Sequence, residues 1–436
     1  MIELSPLLLL VVLFAAILIL VMSGMEIGFA LITIGVISLV LFPRNPLFQP
    51  IAEVCWSQLN SFTLTALPLF IFMGELMTRG KISEQLYRAA DKWLSLLPGG
   101  LANANIGACS VFAALSGSSI ATAAAIGTVA VPAMQSRGYA PRLIFGSLGA
   151  GGTLGILIPP SITMILFGFL GNVSIGKLFI GGVIPGVLLA AAFMCYIMLW
   201  SLRSPSIAPK LAERPSLRGM LSTLPGITPS AILIILVLGS IYMGVATPTE
   251  AAALGAFGAL MINLFQRQLS WRMLQQTLSS TVYTTAMVGL IMIGAMMVAF
   301  ALHFMRVPIV LSEAIVESGM NRYLALGLIC LLIYVLGCFI DGISIIIIMT
   351  PILITIMETL GFDLVWFGVI FTINIEVSLI TPPVGMNLFV LKGVAPSAQM
   401  SDIYMGTLPY VAILSLGIAA LAIWPQLVTW LPAHVM

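Results

Sequence analysis

Two adjacent prolines interrupt apolar sequence at two places half a chain apart, in Gly155-Ile156-Leu157-Ile158-Pro159-Pro160-Ser161 and in Ser378-Leu379-Ile380-Thr381-Pro382-Pro383-Val384-Gly385. A proline cannot donate a helical hydrogen bond and leaves a carbonyl free, so each pair predicts a helix that stops and restarts. Irregular backbone of this kind survives at membrane depth only where it is buried in protein or faces a water-filled cavity. Matching interruptions in two halves of a chain are the strongest sequence pointer to a transport site.

The duplication runs beyond the prolines. Glu26 and Glu250 stand at almost the same separation as the two proline pairs, and each opens an apolar run. Both sit at helix starts near the interface, where capping and stabilisation of the helix dipole are the expected role. Residues 1–200 and 229–436 therefore read as two copies of one unit. Residues 201–228, with Pro205, Pro209, Pro215 and several cations, read as the linker between them.

Of the 436 residues, 60% are hydrophobic and only 7% charged, against about a quarter charged in soluble domains. A chain so poor in polar groups is a polytopic membrane protein, and a net charge of +2 describes no nucleic-acid surface. The first 22 residues lack a basic start and a small-residue cleavage site, so they are expected to remain as a helix.

At about 20 apolar residues per crossing, the first copy supplies spans at 6–22, 28–42, 62–77, 143–170 and 178–202. The second supplies 231–245, 251–265, 281–302, 364–391 and 405–427. Two further apolar blocks break at small polar tips, residues 101–136 at Ser116-Gly117-Ser118-Ser119 and residues 322–357 at Asp341-Gly342-Ile343-Ser344. Each is predicted to be a re-entrant hairpin. The expected fold is thus all-α, with two inverted-topology repeats, about ten transmembrane helices and two re-entrant hairpins.

Charge placement supports that layout. With the N-terminus outside, 13 of the 17 cations fall on the cytoplasmic side and only Arg44, Lys177, Arg306 and Arg322 fall outside. Both termini are then expected in the periplasm. Residues 81–97 place Ile82, Leu86, Trp93, Leu94 and Leu97 on one face and Lys81, Glu84, Arg88, Asp91 and Lys92 elsewhere, which predicts an interfacial helix. A shorter counterpart is expected at residues 308–318.

Four polar breaks are candidates to converge. In the first copy they comprise Ser116, Gly117, Ser118, Ser119 and Thr122, with Gly152, Thr153, Gly155, Pro159, Pro160 and Ser161. In the second they comprise Asp341, Gly342 and Ser344, with Glu376, Ser378, Thr381, Pro382, Pro383, Gly385 and Asn387. Hydroxyls, carboxylates and freed carbonyls suit a small hard cation. Broken-helix N-termini favour an anionic substrate group. Asp341 and Glu376 could hold a cation or carry a proton, since an ionisable group at membrane depth is costly and marks function. Capping of a hairpin half-helix is the plainer role for Asp341.

Other motifs lead nowhere. Gly171-Asn172-Val173-Ser174-Ile175-Gly176-Lys177 imitates the start of a P-loop, but Leu178 occupies the magnesium-binding hydroxyl position and no βαβ unit surrounds it. His303 and His434 have no metal-binding neighbours in sequence. Cys55, Cys109, Cys195, Cys330 and Cys338 have no ligand or redox spacing. No catalytic constellation is indicated and no cofactor is expected, so the energy source is an ion gradient or a partner chain.

The tip Leu115-Ser116-Gly117-Ser118-Ser119-Ile120-Ala121-Thr122-Ala123, the break Gly151-Gly152-Thr153-Leu154-Gly155-Ile156-Leu157-Ile158-Pro159-Pro160-Ser161 and the segment Ile380-Thr381-Pro382-Pro383-Val384-Gly385 resemble the large membrane subunit of tripartite ATP-independent periplasmic (TRAP) transporters. That resemblance implies an elevator-type importer of the bacterial inner membrane, with hairpins and broken helices sliding against a scaffold. It implies sodium as the coupling ion, and Ser116, Ser118, Gly155, Asp341 and Thr381 as candidate sodium ligands. It also implies a small four-helix membrane subunit, a periplasmic substrate-binding protein, and a small organic acid as substrate: a dicarboxylate, sialic acid, keto acid or sugar acid. A stand-alone ion-coupled carrier and a proton-driven antiporter remain the alternatives.

Overall fold

The computed structural model describes residues 6–41, 49–209 and 216–435. Arg44, Lys210 and Arg214 of the charge argument lie outside the described residues. Every regular element among those described is a helix.

The chain opens with α1 (Pro6–Met22), α2 (Ile27–Leu41), the short α3 (Gln49–Leu59) and α4 (Ala66–Arg79). An amphipathic α5 (Ile82–Leu94) follows, then a hairpin of α6 (Leu101–Ser116) and α7 (Ser119–Ser136), a broken pair α8 (Pro141–Leu157) and α9 (Ile162–Leu170), and the long α10 (Ile175–Arg203). After the small α11 (Leu217–Leu221), the same order returns. It runs through α12 (Leu224–Tyr242), α13 (Pro248–Phe265), α14 (Trp271–Phe304) and α15 (Val307–Glu317), then the hairpin α16 (Arg322–Gly337) with α17 (Gly342–Thr359). The broken pair α18 (Leu364–Leu379) and α19 (Met386–Val394), then α20 (Met400–Ile423) and α21 (Gln426–Val435), complete it.

Local chemistry explains the restarts. Ser118 caps α7 by accepting from the Ala121 amide, Ser161 caps α9 by accepting from Met164, and Asp341 caps α17 by accepting from Ser344. Each side-chain oxygen satisfies an amide that the first turn leaves without a partner. Glu250 completes a capping box with Thr247 at the start of α13, the role expected for it. Glu26 stands directly before α2.

Packing between the halves is reciprocal. Helix α2 lies on α14 and α4 on α13; α1 reaches α15 and α12 reaches α5; α10 lies on α18 and α20 on α8. Equivalent helices exchange partners, the pattern that a two-fold axis between the halves generates. The broken pairs form the centre: 83% of the most apolar stretch of Pro141–Leu170 is buried, against 22% for Leu224–Tyr242 and 28% for Met400–Ile423, whose apolar faces stay outside the chain's own core. At that centre the Phe167 ring of α9 meets Phe367 and Phe371 of α18 edge-on at 6.1 and 6.0 Å, contacts worth about 0.5–1.5 kcal/mol each beyond burial.

The elements differ from the sequence expectation in several places. Among the described residues, eight helical segments are long and apolar enough to cross a membrane; one is the broken pair α8 and α9 taken together, and two, Ser119–Ser136 and Gly342–Thr359, are hairpin arms. The span expected at 62–77 starts with a 3-10 turn at Thr63–Thr65 and becomes a helix only from Ala66. Helix α12 begins inside the expected linker, because Pro225 sits in its first turn, where a missing amide costs nothing. Helix α14 starts ten residues before the expected 281: Ser270 caps its first turn, and the polar stretch Gln275-Gln276-Thr277 with Ser279-Ser280 that follows keeps the start out of the hydropathy signal.

Candidate functional site

The first tip is a ring of oxygens. The Ser116 and Thr122 hydroxyls lie 2.8 Å apart, and Thr122 donates to the Ser118 carbonyl at 2.8 Å. Between them Gly117 turns the chain at φ +60, a left-handed conformation that glycine adopts without strain. A Cβ there would fall 2.9 Å from the Pro160 carbonyl oxygen.

That closeness joins the tip to the first break. The Gly117 carbonyl accepts from the Ile162 amide at 3.3 Å, so the first residue of α9 is held by the hairpin. Gly155 lies under the same tip: a Cβ on it would stand 2.5 Å from the Ser118 oxygen and 2.7 Å from Thr122 Oγ1. Gly152 approaches Ala123 in the same way, one turn earlier. Thr153 points elsewhere and donates to the Ala150 carbonyl at 2.6 Å. Ser161 donates to the Ile156 carbonyl at 2.5 Å, satisfying one of the groups released by Pro159 and Pro160.

The second tip has a different chemistry on a similar frame. Asp341 accepts from the Ser344 amide at 3.0 Å and from its hydroxyl at 2.5 Å. Gly342 packs on Ile375 of α18, and Gly337 packs on Ser378 so closely that any Cβ would overlap the serine. The Cys338 thiol reaches the Pro382 carbonyl at 3.7 Å. Thr381 donates to Val377 at 2.6 Å, and Gly385 restarts the chain with φ +55. Both Pro159-Pro160 and Pro382-Pro383 peptide bonds are cis.

The two assemblies are laced together crosswise. Hairpin arm α7 packs on α19 and arm α17 packs on α9, so each hairpin touches the restarted helix of the other half. One hydrogen bond marks this: the Asn387 amide donates to the Ser119 hydroxyl at 2.5 Å. Ser116, Ser118 and Gly155 thus share one cluster with Asn387, while Asp341 and Thr381 belong to the other. Among the described residues, no hydrogen bond joins Asp341 to the first cluster. The five candidate ligands therefore form two neighbourhoods.

Glu376 stands apart. It is fully buried one turn before the break at Ile380, and neither carboxylate oxygen has a hydrogen-bond partner. Asn387 Oδ1 is likewise buried without a partner. Free oxygens beside a break are where a cation, water or substrate group would be accommodated.

Sequence reasoning missed several supporting residues. Asn374 donates to the Cys330 carbonyl at 2.8 Å and pins α18 to the second hairpin; an amide two residues before Glu376 in apolar sequence was the available signal. Tyr404 donates to the Pro383 carbonyl at 3.2 Å, and Gly74 of α4 lies against the Ser116 backbone. Neither carries a sequence signal. At the far end of the first hairpin, Arg137 pairs with Asp91 of α5 at 3.2 Å. The hydrogen bond to Asp91 holds the Arg137 guanidinium above its ordinary pKa.

Hairpins, broken helices and apolar outer helices define a multi-pass membrane protein. Residues 12–427 match the family described as tripartite ATP-independent periplasmic transporter, DctM component, and the chain belongs to that family. It is 36% identical over 365 residues to the isethionate TRAP transporter permease protein DctMQ of Oleidesulfovibrio alaskensis, covering 84% of this chain but only 57% of that longer protein. It is 32% identical to the C4-dicarboxylate TRAP transporter large permease protein DctM of Vibrio cholerae, covering 97% of this chain and 98% of the relative. The sialic acid TRAP transporter large permease protein SiaM of the same organism is 30% identical, with 95% and 96% covered. Among solved structures, the Alcanivorax borkumensis YdaH transporter superposes with a TM-score of 0.65 at 14% identity, covering 94% of this chain and 98% of that one, a likeness of fold. The chain is a transporter subunit rather than an enzyme, and a multi-pass inner-membrane protein.

Proposed function

We propose that the chain is the permease of a sodium-coupled importer that receives a small organic acid from a periplasmic binding protein and works with a small four-helix membrane subunit. The observation that carries this reading is the crosswise lacing of two oxygen-rich tips onto two broken helices, with no Lys or Arg in either tip. An anion held there depends on helix ends, hydroxyls and co-bound cations, which couples its binding to sodium. Relatives named for isethionate, C4-dicarboxylates and sialic acid support a small anion as the substrate class.

In this reading residues 1–200 and 229–436 are inverted repeats, joined by a cytoplasmic linker at 201–228, with both termini periplasmic. The hairpins and broken helices move as one body against α1, α2, α4 and α12–α14. The test is uptake of labelled organic acids into proteoliposomes holding this chain and its small subunit, with and without the binding protein, under a sodium gradient. Uptake requiring both sodium and the binding protein is expected. Flux that ignores the binding protein would instead make the chain a stand-alone carrier. The unpartnered Glu376 favours one second reading, proton coupling, which sodium-independent flux driven by a pH gradient would establish.

A further inference from the structure

Away from the tips, α5, α6 and α12 enclose an open crevice of about 620 Å³, within the roughly 300–1,000 Å³ range of ligand-binding clefts. Leu86, Ala90 and Leu94 of α5, Val111 of α6, and Ile227 and Ala231 of α12 form much of its wall. These are hydrocarbon surfaces with nothing to hold water. The crevice starts at the amphipathic helix α5, whose Trp93 indole donates to Thr223 Oγ1 at 3.3 Å across the mouth. A tryptophan anchored in this way belongs at the headgroup level of a bilayer.

The mouth is also cationic. Lys92 of α5 lies against α11, its Nζ 3.6 Å from where a Cβ on Gly219 would sit, and Arg218 is the residue before that glycine. Nearby Arg88 and Arg137 are matched by Glu84 and Asp91. Lys92 and Arg218 are exposed and have no ion-pair partner among the described residues. A hydrocarbon slot with Lys92 and the α11 that carries Arg218 packed together beside its Trp93–Thr223 end fits a molecule that is anionic at one end and aliphatic along the rest. We propose that this crevice is an anionic phospholipid site, one acyl chain lying between α5, α6 and α12 and the phosphate held by Lys92 and Arg218. Basic pockets between helices on the cytoplasmic side are suited to such headgroups. The inference needs only that α5 lies at the membrane surface and is independent of the coupling ion.

The test is native mass spectrometry of the purified chain with its small subunit, titrated with phosphatidylglycerol and with phosphatidylethanolamine of identical acyl chains. The expected result is a preference for phosphatidylglycerol of about tenfold or more, from two cations near a headgroup. Lys92→Gln with Arg218→Gln should abolish that preference, and Ala231→Trp should lower binding of both lipids. Lys177→Gln, on the opposite end of the molecule's charge pattern, should leave the preference intact. Equal binding of the two lipids by the unaltered protein would overturn the proposal. So would a preference that persists in the double variant, one that disappears equally in Lys177→Gln, or a helix of the small subunit found filling the crevice. Both cations are exposed, so the double variant keeps the test sound even if Ala231→Trp misfolds.

Discussion

Asn387 donates to the hydroxyl of Ser119 at 2.5 Å across 268 residues of sequence, tying the restarted helix of the second half to the first hairpin tip. Ser119 is buried and Asn387 fully so, which makes the bond a determinant of how the two tips are placed relative to each other.

Removing either partner leaves the other unsatisfied in the interior. Asn387→Ala and Ser119→Ala should each destabilise the protein by about 1–3 kcal/mol, and the double variant should cost less than the two together. Thermal unfolding in detergent for the four forms of the cycle measures this. Strict additivity would mean that the bond carries no coupling.

Gly155→Ala puts a methyl group 2.5 Å from the Ser118 oxygen. That clash must lift the tip off the broken helix, and overpacking of this kind costs about 1–3 kcal/mol. Uptake should fall at least tenfold while membrane insertion is unchanged. Normal uptake would show that the tip need not rest on α8.

Ser118→Ala, Thr381→Ala and Asp341→Asn each remove one oxygen ligand or charge without touching the outer helices. The sodium concentration for half-maximal uptake should rise in each, with Asp341→Asn affected most because a full charge is lost. Sodium activation curves in proteoliposomes decide the matter. Unchanged curves in all three variants would dismiss both tips as cation sites.

Glu376→Gln keeps the shape of the buried side chain and removes its capacity for charge. Under sodium coupling, uptake should persist within a few-fold of the parent at every pH. If the substitution abolishes pH-driven flux instead, the proton reading displaces the sodium reading.

The breaks were legible because paired prolines act locally: Pro159-Pro160 and Pro382-Pro383 each remove two successive helical donors, whereas the single prolines Pro132, Pro185 and Pro351 are carried inside helices. The boundaries of α1 and α2 followed from apolar run length to within one residue, whereas α13 starts at Pro248, three residues before the expected 251, because the Thr247 cap begins it. The polar first turns of α14 escaped detection because hydropathy counts burial in lipid rather than helicity. Helix α3, Gln49–Leu59, was missed for the same reason, being polar at several of its positions. The division of the candidate ligands into two neighbourhoods was not visible either. Which tip meets which restarted helix is a long-range choice, and the contacts of α7 with α19 and of α17 with α9 leave no local trace.

The exchange of partners between the halves also constrains descent. Two halves whose hairpins lean on each other's restarted helices cannot accumulate change in private: a substitution beneath Ser119 is judged by the geometry around Asn387, which the other half of the gene encodes. The two halves differ in chemistry, hydroxyl-rich at Ser116 and acidic at Asp341, while sharing one order of helices.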